Sequence, residues 1–76
     1  MKISPESPEH PYLQLAAQLR ARIEAGEIGP VVPSIMQLTE ETGLAVGTVR
    51  RALRLLADEG LIYTVPGRGT FVRHPT

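Results

Sequence analysis

The spacing of apolar residues divides the chain into helical and extended stretches. Tyr12, Leu15, Ala16, Leu19 and Ile23 recur three and four positions apart, the period that gathers side chains along one helical face. Pro11 suits the first turn of this helix, where a missing N–H costs nothing. Gly26 suits a left-handed cap at its end. Ahead of it, MKISPESPE (residues 1–9) holds two prolines and no apolar period, which reads as a flexible tail. The connector EIGPVV leaves room for a very short strand at Val31-Val32. Ser34 then offers an N-cap and Gly43 a stop for a second helix, IMQLTEET, of about two turns. Ile35 and Leu38 are its core candidates.

Leu44-Ala45-Val46 leads into a third helix, TVRRALRLLADEG, closed by Gly60. With residues set about 100° apart, positions 46–59 separate into two faces. Taking Gly47 as origin, Val46, Val49, Ala52, Leu53, Leu56 and Ala57 span roughly 140° to 280° and form the expected core face. Gly47, Arg50, Arg51, Arg54 and Asp58 share the opposite stripe, from about 300° round to 40°. LIYTV and TFVR, on either side of PGRG, then read as a β-hairpin. The expected fold is α+β and mostly helical, one domain over residues 10–74: helix, short strand, helix, turn, helix, strand, turn, strand.

Composition narrows what such a domain does. Seventy-six residues lie near the lower limit for folding on a hydrophobic core alone. There is no cysteine, so neither disulfides nor thiolate metal ligands staple it. His10 and His74 sit near opposite ends and read as solvated terminal residues rather than ligands. No apolar run approaches the roughly 20 residues that span a bilayer, and no export signal opens the chain. The expected location is cytoplasmic.

The net charge of zero hides a gradient. Residues 1–45 carry three basic groups (Lys2, Arg20, Arg22) against six acidic ones, whereas residues 46–76 carry five arginines against Asp58 and Glu59. The positive excess therefore falls on the third helix and the hairpin, and sign asymmetry of this kind bears on partners.

The second helix, the Gly43 turn and the third helix have helix-turn-helix proportions. In that motif the second of the pair enters the major groove of DNA and presents its N-terminal residues to base edges. Gly47 and Thr48 occupy that end, with Arg50, Arg51 and Arg54 further along the stripe. Arg68, between two glycines at the hairpin tip, suits a narrow minor groove of high negative potential. Blander readings remain open here. Arginines on a solvated face are often only solvated, and Gly67 at the third position of a Pro-Gly turn relieves a positive φ. That reason is expected to cover Gly67 alone, not the second glycine.

PYLQLAAQLRARIEAGEI, VPS and LTEETGLAVGTVRRALRLLADEGLIYTVPGRGTFV resemble the N-terminal winged helix of GntR-type transcriptional regulators, from about Pro11 to Val72. The resemblance implies a winged helix-turn-helix regulator of double-stranded DNA, a repressor, that binds an inverted-repeat operator as a homodimer. By position it assigns DNA contacts to Thr48 and Arg50, and to Gly67, Arg68 and Gly69 in the wing. It places Ser34 as a cap near the phosphate backbone. Gly47, Arg51, Arg54 and Thr70 complete the candidate set. Two departures stand out: Ile35-Met36 replaces an acidic-basic pair, and Ala45-Val46-Gly47 replaces a hydroxyl, arginine and threonine. Both imply an operator unlike the family's usual ones.

Met1 and the lack of an evident linker at the end favour a complete small regulator over an excised head. Such a head must dimerise through its own surface, with Leu55 and Leu13 as candidate contacts. An enzyme is not expected, since Ser34 has no histidine partner and no carboxylate pair marks a pocket. No cofactor, metal or small-molecule site is evident. The rival reading is a winged helix that docks an acidic protein through its basic stripe.

Overall fold

The computed structural model describes residues 3–73. The element order is α1 (Pro11–Glu24), α2 (Ile35–Thr42), α3 (Val46–Asp58), β1 (Ile62–Val65) and β2 (Gly69–Val72). Local chemistry sets the boundaries. Pro11 opens α1, and Gly26 at φ +76° leads the chain away from its end. At α2 the Gln37 N–H donates to Ser34 Oγ at 3.1 Å, and the Ser34 N–H donates to Gln37 Oε1 at 2.9 Å. Two otherwise unpaired donors are satisfied reciprocally. Gly43 ends α2 in the left-handed region. The Thr42 hydroxyl donates to the Leu38 carbonyl at 2.6 Å and accepts the Leu44 N–H at 3.1 Å, which fixes the turn into α3.

The core gathers Leu15, Ala16 and Leu19 from α1, Leu38 from α2, and Val49, Ala52 and Leu56 from α3, with Ile28, Val32, Ile62 and Val72 closing it. Tyr12 of α1 meets Arg51 of α3, and two turns further along both helices Arg20 meets Glu59. The two helices therefore run side by side in the same direction. This packing corrects the expected core face of α3. Leu55, expected outside that face and considered a dimer contact, lies half-buried against the core on the side of α1. Val46 and Ala57, expected inside, are exposed; they sit at the margin of the arc.

β1 and β2 pair antiparallel from Ile62↔Val72 to Val65↔Gly69. The tip is Pro66-Gly67-Arg68, closed by the Arg68 N–H on the Val65 carbonyl at 3.0 Å. The short strand expected at Val31-Val32 is a single bridge, Val31 to Phe71. Two hydrogen bonds flank it: Val32 N–H to the Thr70 carbonyl at 2.9 Å, and Val72 N–H to the Pro30 carbonyl at 2.8 Å. Three helices with this hairpin make a winged helix-turn-helix.

Residues 3–9 lie against α1 rather than trailing from it. Gln14 Nε2 donates to the Ser4 and Glu9 carbonyls at 3.0 and 2.9 Å, while Gln14 Oε1 accepts the Ser4 N–H at 2.9 Å. Ile3 packs on the edge of the core. Met1, Lys2 and His74, the remaining ends of the expected tail and domain, lie outside the described residues. Among the described residues no helix is long and apolar enough to cross a membrane, and no group of three or more His, Asp or Glu side chains is placed to hold a metal ion.

Candidate nucleic-acid interface

The first turn of α3 closes on backbone alone. The Thr48 and Val49 N–H groups donate to the Ala45 carbonyl at 3.0 and 3.1 Å, and Ala45 supplies no side-chain cap. From this turn onward Gly47, Arg50, Arg51 and Arg54 are exposed, and Thr48 is half-buried. The basic stripe stands in solvent where helical spacing put it.

Two grooves flank the stripe. On the α1 side, Gly47, Arg50, Arg51, Arg54 and Asp58 line a shallow groove with Tyr12 and Leu55. On the other side, Arg50 and Arg54 line a groove with Ile35, Leu53, Thr64 and Thr70. Arg50 and Arg54 of α3 thus share a groove with Thr64 and Thr70 of the wing. A third groove runs from Arg68, Gly69 and Thr70 at the wing tip past Leu53 to Ser34, Met36 and Gln37. Thr70 belongs to both wing-side grooves, and its hydroxyl lies 3.2 Å from that of Thr64. Nine of the ten candidates line these grooves or the one beside Tyr12 and Thr48, which share residues from the start of α1, across α3, to the wing; Gly67 lines none of them. Ser34 lines the third groove, where its hydroxyl caps α2.

The glycines divide in an unexpected way. Gly67 has φ +77° and Gly69 has φ +120°. Both therefore have a backbone reason to be glycine, which corrects the expectation that the turn explains only the first. Arg68 is flanked by glycines because this tip needs them. Gly47 is the opposite case. Its φ is ordinary for a helix, and a Cβ built there meets nothing within 4 Å.

Tyr12, on the apolar stripe of α1, packs against the core and also reaches the surface beside α3. It is half-buried, with the Arg51 guanidinium 4.0 Å over its ring centre and the His10 ring stacked beside it at 6.2 Å. Its only sequence signal was an aromatic ring with a polar tip at the margin of an apolar stripe. Met36 is also exposed, at 64%, in the groove beneath the wing.

An ion pair joins α1 to the end of α3. Arg20 Nε and Nη2 donate to the two Glu59 carboxylate oxygens at 2.9 and 2.6 Å. The Arg20 hydrogen bond holds the Glu59 carboxyl below its ordinary range, and the same bond raises Arg20 above its own. Asp58, at the far end of α3, is the acidic member of the groove beside Tyr12.

Residues 11–72 match the family described as bacterial regulatory proteins, gntR family. The HTH-type transcriptional repressor NagR of Bacillus subtilis (strain 168) is 43% identical over 77 residues, which cover 99% of this chain and 32% of NagR. The chain spans about a third, or less, of the length of the curated relatives it matches. Among solved structures, AraR(DBD) in complex with operator ORX1 has a TM-score of 0.85 at 32% identity, over 96% of this chain and 95% of that one. YtrA from Sulfolobus acidocaldarius, a GntR-family transcription factor, has a TM-score of 0.85 at 36% identity, over 97% of this chain and 80% of that one. With a match that runs from the start of α1 to the end of β2, the chain belongs to the gntR family of bacterial regulatory proteins.

Proposed function

We propose that this chain is a sequence-specific double-stranded DNA-binding head that regulates transcription as a repressor. One observation carries the reading: Arg50 and Arg54 of α3 and Thr70 of the wing line one groove, so a single duplex can meet both elements. The AraR neighbour, described in complex with an operator, and NagR, described as a repressor, support it.

In this reading the N-terminal turn of α3 enters the major groove. Arg50, Arg51 and Arg54 engage phosphates or guanine edges, for which a guanidinium is suited by its paired donors. Arg68 enters the adjacent minor groove. Ser34 and Thr70 lie toward the phosphate backbone and set register rather than sequence. Gly67 and Gly69 let the tip turn tightly there. Two copies bind the halves of an inverted repeat as a homodimer, and the protein works in the cytoplasm at the nucleoid. Its role is binding, with no reaction catalysed.

Mobility shift on random duplex tests the reading. Retention at low salt that falls steeply as salt rises is expected, because each neutralised phosphate releases counterions. No retention even at very low salt would overturn it and favour a module that docks an acidic protein.

A further inference from the structure

We infer that the leading turn of α3, Ala45-Val46-Gly47, reads a thymine through its C5-methyl group. The inference rests on the DNA-binding reading and concerns what that surface recognises.

The turn offers no hydrogen-bonding side chain. Ala45 occupies the N-cap without a side-chain bond, and Val46 and Gly47 follow. Val46 is 43% exposed. It stands one turn before Arg50, on the same side of the helix, and helical side chains lean toward the N-terminus. Its methyl groups therefore project ahead of the stripe, toward whatever the helix end meets.

Gly47 adds an independent argument. A glycine inside a helix lowers stability relative to alanine, so it needs a reason. Neither backbone nor packing supplies one, because φ is ordinary and the space around a Cβ is empty. The remaining reason is external: a surface that comes closer to the helix than a methyl group allows.

The major groove limits what that surface can be. Guanine, cytosine and adenine present hydrogen-bond donors or acceptors there, and thymine adds the one apolar edge group, its C5-methyl. An apolar turn pressed on the polar edges would strip their water without replacing the lost bonds, which is costly. Pressed on a thymine methyl, it buries apolar surface on both sides. The turn selects thymine by attraction and disfavours cytosine by leaving its amino group unpaired.

The test begins with selection of a preferred site from a random duplex pool. In that site each thymine is then replaced in turn by deoxyuridine, which removes only the methyl. At one thymine per half-site the affinity is expected to fall about fourfold, the value of one buried methyl group. With Val46→Ala the discrimination between thymine and uracil should vanish at that position and persist elsewhere, as coupling between two groups in contact requires. A thermal melt of Val46→Ala matching the parent protein excludes misfolding. Equal affinity for every uracil-substituted site would overturn the inference while leaving DNA binding intact. Discrimination that survives Val46→Ala would also overturn it. Failure to bind any duplex would overturn the underlying reading as well.

Discussion

The Arg51 guanidinium lies 4.0 Å above the centre of the Tyr12 ring, so a cation of α3 is held in place by an aromatic of α1. The stack is worth about 0.5–1 kcal/mol at an exposed site, and it removes rotamer freedom that Arg51 would otherwise lose on meeting a phosphate. Two substitutions separate charge from placement. Arg51→Ala should lower the salt slope of DNA binding by about one. Tyr12→Leu should leave the slope intact and weaken affinity about two- to fivefold. Anisotropy titrations across a salt series measure both, and an unchanged slope in Arg51→Ala would remove that residue from the interface.

Gly47→Ala should move stability and binding in opposite directions. The added methyl meets nothing inside the protein, and alanine favours the helix by about 0.5–1 kcal/mol. The midpoint of urea unfolding should rise. Affinity for the selected operator should fall several-fold or more. Unaltered affinity would show that nothing approaches the helix at this point.

Neighbours at the wing tip should also separate. Gly69 sits at φ +120°, a conformation that side chains rarely adopt, so Gly69→Ala should destabilise the fold by about 1–3 kcal/mol. Arg68 is exposed and supports no core. Arg68→Ala should keep the melting temperature and weaken DNA binding. Paired calorimetry and titration check this, and a melting temperature lowered equally by both changes would contradict the division.

Acid should loosen the link between α1 and the end of α3. Arg20 holds the Glu59 carboxyl below its ordinary value of 4.5, so the ion pair favours the folded state wherever Glu59 is ionised. That contribution is fully present above the unfolded value and is lost as pH falls through the lower, folded one. Both side chains are about a third exposed, so salt should weaken the effect. Thermal melts from pH 7 to pH 2 should show the parent protein losing more stability below about pH 4.5 than Glu59→Gln does. Parallel curves would mean that the pair contributes nothing.

What the sequence made legible follows the range of the interactions involved. Ser34, Gln37 and Gly43 bound α2 through contacts a few residues apart, so their signals are local and the element was readable. The basic stripe was readable because helical periodicity alone sets it. Leu55 was misplaced because a helical wheel gives directions without saying which neighbour covers them, and the cover is α1, whose contacts lie 39 residues away at Arg20 and Glu59. Gln14 fastens residues 4 and 9 through its side chain, a link that composition does not encode. The need for glycine at 69 arises from its φ of +120°, a backbone setting that no count of turn residues supplies.

The bonds from Pro30 and Val32 to β2 have one more effect. They fasten the ribbon to a segment that enters α2 three residues after Val32, so the ribbon is tied to the start of that helix. In the DNA-binding reading, α3 and the ribbon act as the two jaws of a caliper. Duplexes whose groove geometry departs from that gauge must then deform to fit, and the deformation energy becomes a means of discrimination at base pairs the protein never touches.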